Sequence, residues 1–251
     1  MRKLKKLFII IYVFLALFLV FVVNGAVERV LVNKEVEAFV KRGELVYQKG
    51  NTEYYRVSPK YSYEDLTRHI INDYNDTKPG AKGDIFVTPR NPLRGDPFMD
   101  LLSEITWLGH AGIVVSDDGK KTIEITGNLG SDNNYVQEWN NTWIIEQHTE
   151  EMMLLRIKNT TSLQRDKMVE YAYSQIGKKY NYTFLFNRGK TYYCSDLVSR
   201  AIEHAGLNVN YDFVATTGAD MLLSDNTYIV YYKKEILVGN NIIRKIYYLG
   251  V

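Results

Sequence analysis

The pattern of apolar and polar positions opens with an unbroken apolar run from Leu7 to Val23, directly behind Arg2, Lys3, Lys5 and Lys6. The run is slightly long for the core of a signal peptide and at the short limit for a bilayer span. Asn24-Gly25-Ala26 follows; its small residues permit cleavage, but Asn24 departs from the preferred small residue three positions back, so an uncleaved anchor is the alternative. A buried core helix would not carry four basic residues against such a segment. Residues 1–26 therefore read as a signal peptide or an N-terminal membrane anchor. In either case the positive charges stay cytoplasmic and the rest of the chain is exported, to be secreted or held at the membrane.

Further along, the periodicity predicts a helix from Ser62, as N-cap, through Leu66, Ile70, Ile71 and Tyr74, ended by Lys78-Pro79-Gly80. Residues 27–79 are thus expected to form a helical appendage or linker, and residues 80–251 the main domain. Gly112 to Val115 and Thr122 to Thr126 read as strands, and Asp117-Asp118-Gly119 between them suits the turn of an antiparallel hairpin. A second helix is predicted over residues 162–176, capped by Thr161 or Ser162, with Val169, Ala172, Tyr173 and Ile176 on one face. A third carries Leu197, Val198, Ala201, Ile202 and Ala205 at helical spacing and ends at Gly206. Near the end come a turn at Asp220 to Leu223, then strands over Thr227 to Lys233 and Ile242 to Leu249 around Gly239-Asn240-Asn241. There are no repeats and no low-complexity tract.

The chain has 251 residues and 46% hydrophobic content, enough to bury a full core without disulfides. The net charge of +2 rests on the four N-terminal basic residues; without them the balance is −2, so there is no basic field to attract nucleic acid.

The one cysteine, Cys194, stands where the aromatic pair Tyr192-Tyr193 gives way to the third helix. Unpaired N–H groups and the positive end of the helix dipole favour a thiolate there. A lone cysteine is more often a small buried hydrophobe than a nucleophile, so the catalytic reading needs a partner. In an exported chain with one cysteine no internal disulfide forms, which favours a free thiol. The best partner is His110, at the head of the first strand between Gly109 and Gly112, which leave room for close approach. Glu124 alternates with Ile123 and Ile125 on the second strand and could hold the His110 ring. The plainer alternatives, a histidine capping its strand and a solvated strand glutamate, remain open on spacing alone.

Five segments in order carry a resemblance: Gly83-Asp84-Ile85-Phe86-Val87, Gly109-His110-Ala111-Gly112-Ile113-Val114, Ile123-Glu124, Ile176-Gly177-Lys178-Lys179-Tyr180-Asn181, and Tyr193-Cys194-Ser195-Asp196-Leu197-Val198. Together they resemble the circularly permuted, YiiX-like branch of the NlpC peptidase superfamily of papain-like cysteine hydrolases, from about Gly80 to Tyr231. The order His, Glu, Cys is that of the permuted branch. Ala111, where that branch often has a β-branched residue, touches nothing catalytic. The resemblance implies an α+β fold in which an antiparallel sheet packs against the cysteine helix. It also implies Cys194 as nucleophile, His110 as general base, Glu124 as the residue orienting it, and Tyr180 as an aromatic near the substrate cleft. The stretch from Gly127 to Trp143 is left without a role.

Other candidates are weaker. The histidines at 69, 110, 148 and 204 lack metal-ligand spacing and no second cysteine exists, so no metal and no cofactor is expected. Asn75, Asn140, Asn159 and Asn181 begin sequons that matter only in a glycosylating host. Asp196 could touch substrate, but an acid in a first helical turn ordinarily serves the dipole. Gly127 to Gly130 reads as a loop without phosphate-binding context. The expected partner is an amide in the cell envelope, first a peptide bond of peptidoglycan, with a lipid amide or ester as the alternative and a non-catalytic envelope-binding module as a third reading.

Overall fold

The computed structural model describes residues 2–89, 96–107, 109–128, 131–145, 151–183, 190–212 and 216–251. Helix α1 (Arg2–Val40) contains the apolar run and continues well past it, to a length of roughly 58 Å. No residue of its most apolar stretch is buried by the rest of the fold, whereas Val32, Val36 and Phe39 near its end join the hydrophobic core. Strands β1 (Gly43–Lys49) and β2 (Thr52–Val57) form a hairpin, and after β3 (Ile85–Thr88) comes helix α2 (Pro97–Thr106). Next are β4 (His110–Val114), β5 (Lys121–Glu124), β6 (Gln137–Asn140) and β7 (Glu151–Ile157), then α3 (Ser162–Ser174). Two short strands, β8 (Lys179–Tyr180) and β9 (Thr191–Tyr192), lead into α4 (Cys194–His204), α5 (Gly218–Leu223), β10 (Thr227–Val238) and β11 (Asn241–Leu249).

Nine strands make one sheet in the order β1-β2-β11-β10-β7-β3-β4-β5-β6, with β8 and β9 as a separate parallel pair. All neighbours in the large sheet are antiparallel except β11 and β2. Alternation alone would leave one face wet, but β3, β4 and β7 are buried nearly throughout, because helices cover them. The cysteine helix α4 packs against β4 and α3. This is the α+β arrangement expected, with the sheet carrying the histidine strand and the helix carrying the thiol.

Three expectations are corrected. Residues 27–79 are not a helical appendage: they continue α1, then supply β1 and β2, and β2 pairs in parallel with β11 as part of the same sheet. The helix predicted from Ser62 does not form. The Asp65 carboxylate instead accepts from the Thr67 backbone N–H and hydroxyl, and Asp76 accepts from the Asn72 N–H, local bonds that compete with helical ones. The carbonyls of Asp65 and His69, which a helix would have used internally, accept from the buried Arg156 guanidinium. In α3 the buried residues are Met168 and Ala172, while Tyr173 and Ile176 are exposed, the Tyr173 hydroxyl donating to Glu138. The predicted cap is realised as a capping box of Thr161 with Gln164.

Candidate active site

The hairpin read from Asp117-Asp118-Gly119 is present, with Gly119 at a φ of 71°, and β4 and β5 pair so that Gly112 faces Glu124. His110 is two residues from Gly112 on the same face, so Glu124 is its diagonal neighbour across the ladder. The Glu124 carboxylate lies 2.7 Å from His110 Nε2. Its other oxygen accepts from Trp143 Nε1 at 3.2 Å and from the Thr122 hydroxyl at 3.2 Å. The imidazole is therefore fixed at its Nε2 edge.

Trp143, fully buried, lies nearly parallel to the His110 ring with centroids 5.2 Å apart, and Phe86 also stacks on Trp143, at 4.9 Å. This stack explains the glycines around the histidine. A Cβ at Gly112 would meet the Trp143 ring at 3.2 Å, and one at Gly109 would sit 1.6 Å from the Thr88 carbonyl oxygen. What approaches the imidazole closely is thus the protein's own ring and backbone. Trp143 and Thr122 escaped the sequence reading; the signal that could have found them was Gly112 opposite a glutamate, which leaves space for a large ring.

Cys194 is the first residue of α4, and Tyr193 caps the helix without a side-chain bond. The helix forms there because Leu197, Val198, Ala201 and Ile202 bury one face while the thiol end meets β4. Cys194 is buried, with its sulfur 3.7 Å from the Gly109 carbonyl oxygen. Burial alone would raise the thiol; the hydrogen bond and charge of His110, with the backbone N–H groups of Ala111 and Ser195, bring it below the usual thiol range. Burial likewise opposes a charged imidazole, yet the bonds to Cys194 and Glu124 outweigh it and push His110 up to about 9. Each group thus favours the charged form of the other, the thiol lowered and the imidazole raised.

Tyr180 comes to the same place. It is buried, packs against Tyr182 with the rings tilted and their centroids 4.9 Å apart, and its phenol is held well above the usual range, first by burial and next by the charge of Cys194. Asp196 does not point to substrate: it pairs with Arg200 through two bonds of 2.7 and 2.9 Å, and burial pushes its carboxyl up to about 6 despite that partner. His69 bonds the Gly80 carbonyl and Asp76, and the His204 ring lies tilted against Tyr171. His148 lies outside the described residues, as do parts of the Gly127 to Gly130 stretch and of the loop from Tyr180 to Thr191.

Among the described residues one group offers several metal-type ligands, Glu28 with Asp212 and Asp220, whose ligand atoms lie within 4.8 Å of one another. It contains no histidine or cysteine, so its donors are those of a hard cation rather than zinc. Burial, then the charges of Asp220 and Asp212, push Glu28 up to about 8. A carboxyl raised in the folded state stabilises fully below its unfolded value, and that contribution is lost as pH rises through 8. Glu28→Gln is therefore expected to raise stability at pH 8.5 by roughly 1–2 kcal/mol and to change little at pH 5. Thermal melts at the two values check this; equal shifts at both would refute the assignment.

A helix-borne thiol against a strand-borne imidazole held by a carboxylate, on an α+β fold with the order His, Glu, Cys, is the design of a permuted papain-like cysteine hydrolase. Residues 81–232 match the family model described as permuted papain-like amidase enzyme, YaeF/YiiX, C92 family, and the chain belongs to that family. It is a hydrolase of the amidase type. A solved structure titled metalloprotein yiiX from Escherichia coli O157:H7, DUF1105, is similar over 59% of this chain and 88% of that one, with 20% identity and a TM-score of 0.40. No curated protein matches the sequence.

Proposed function

We propose that the chain is an exported or membrane-anchored amidase that cleaves an amide of the cell envelope through Cys194, His110 and Glu124. The observation that carries this is the buried His110 held at Nε2 by Glu124, 2.7 Å away, with the buried Cys194 sulfur 3.7 Å from the carbonyl oxygen of the adjacent Gly109. In the proposed cycle the Cys194 thiolate attacks the carbonyl carbon, forming a C–S bond. The oxyanion is received by the backbone N–H of Cys194, an orphan donor by its position at the helix start. The C–N bond breaks as His110 Nδ1–H protonates the leaving amine, giving a thioacyl enzyme. His110 then takes a proton from water, whose oxygen attacks the acyl carbon, and the thiolate departs. Tyr180 walls the cleft beside the sulfur.

Peptide bonds of peptidoglycan are the first substrate. A lipid amide or ester is the second reading, favoured by α1, whose uncovered apolar stretch would hold the enzyme against a bilayer. Incubation with purified peptidoglycan and with membrane lipid extracts, followed by mass spectrometry, separates them. Release of peptides from peptidoglycan supports the first, and products from the lipid extract alone overturn it.

The ion pair sets the pH dependence. Activity is expected to rise as the lowered thiol ionises and to fall near pH 9, where the imidazolium loses the proton its leaving group needs. A kcat/KM profile that keeps rising beyond pH 10 would count against the pair. Glu124→Gln keeps the size of the side chain but not its charge. It should lower kcat on the order of 10–100-fold, by analogy with lost outer partners of a catalytic histidine, with KM little changed. The same variant should move the alkaline limb down, because Glu124 helps hold His110 charged.

A further inference from the structure

Helix α2 presents two different outer faces. Leu102, Ser103 and Thr106 are buried, while Phe98 and Leu101 are 59% and 56% exposed and Ile105 is also open to solvent. At 100° per residue the three open apolar side chains fall within one narrow sector. Asp100 and Glu104 are exposed on the neighbouring sector, away from the core. Isolated apolar residues on a surface are unremarkable, but a stripe of three on one short helix is not.

The position of α2 says what covers that stripe. Its end touches α1 at Gly25, where a Cβ would lie 2.5 Å from Thr106 Cβ, so the helices meet closely there. Its beginning stacks Phe98 on Phe18, ring centroids 6.4 Å apart. Phe18 belongs to the apolar run. Thus α2 runs parallel to α1, beginning beside the apolar run at Phe18 and ending just past it at Gly25, and its apolar stripe continues the apolar surface of α1.

We propose that α2 docks in the interface of the same bilayer that α1 enters, with Phe98, Leu101 and Ile105 among the acyl chains and Asp100 and Glu104 toward water. This rests on α1 being a retained membrane anchor. The acidic residues set the depth: they hold α2 at the headgroup boundary, about 5–10 Å in, rather than in the hydrocarbon centre. With acids flanking the stripe, attraction comes from apolar burial and needs no anionic lipid. The consequence is positional. Trp107 ends α2 and His110 begins β4, so the catalytic base is tied within four residues to a membrane-seated helix.

The test uses the full chain in phosphatidylcholine vesicles, with Cys194→Ser removing the native thiol and a nitroxide placed by Leu101→Cys. Collision with oxygen and with a water-soluble nickel chelate is read by electron paramagnetic resonance. A docked Leu101 position is expected to collide several times more with oxygen than with the chelate, and a label placed by Asp100→Cys to show the reverse. Equal chelate access at both positions overturns the docking. Shielding of the Leu101 label from both reagents also overturns it, indicating a second protein copy on the stripe. A label placed by Leu15→Cys separates the two readings. Chelate access there means that the anchor reading itself fails, whereas protection there with an exposed Leu101 label means that only the docking fails.

Discussion

Cys194→Ala is expected to lower amide hydrolysis by roughly four orders of magnitude or more, the scale seen when a covalent nucleophile is removed. The folded state should survive the change. Cys194 is buried within the hydrophobic core, and alanine keeps most of its volume there while losing one sulfur. The deletion also removes the Cys194 contributions that raise His110, so its imidazole should titrate lower than in the parent protein. Three measurements follow: turnover, the melting temperature, and the His110 titration by NMR. Loss of turnover with a melt within a few degrees of the parent and a lowered histidine value fits the pair. Retained turnover in a folded Cys194→Ala protein would end the proposal that this thiol is the nucleophile. His110→Ala should match the catalytic loss, because members of such a unit fail together and not additively.

How much of this was visible in the chain depended on how local each feature is. His110 and Glu124 are joined by one hairpin whose turn, Asp117-Asp118-Gly119, carries its own chemistry, so period and turn type made them candidate neighbours while leaving a solvated glutamate open. The capping of α3 by Thr161 was legible for the same reason. The approach of Cys194 to His110 joins two distant segments, and only the ordered motifs suggested it. Trp143 stayed hidden because its place against His110 is made by the return of the chain after β6, for which no periodic pattern speaks. The predicted helix from Ser62 failed in the opposite sense. Its apolar spacing was real, and Ile70 is indeed buried, but the backbone there is drawn into bonds with Arg156, a residue far along the chain. Local propensity was overridden by a tertiary partner.

Arg156→Met is the substitution expected to cost the fold most. Arg156 and Asp84 are both fully buried, and the guanidinium holds the carboxylate through Nε at 3.0 Å and Nη2 at 2.7 Å. Arg68 reaches the same carboxylate at 2.7 Å, and the Ala81 N–H donates to its other oxygen. Two further guanidinium hydrogens go to the Asp65 and His69 carbonyls, so one side chain ties β7, the start of β3 and the irregular segment over residues 58–80 together. Methionine fills much of the volume but leaves Asp84 buried with less positive charge and strands two carbonyls. Breaking a buried pair from one side costs on the order of 3–5 kcal/mol, and the residual Arg68 contact argues for the lower end. Chemical denaturation of the full chain in detergent micelles should show that loss. Adding Asp84→Asn should recover part of it, since the stranded charge is then gone. Because Thr88 at the end of β3 pairs with His110 in β4, the single variant should also slow turnover by loosening the base. An unchanged denaturation midpoint in Arg156→Met would show that the pair contributes no stability and that the segment over residues 58–80 is held by other contacts.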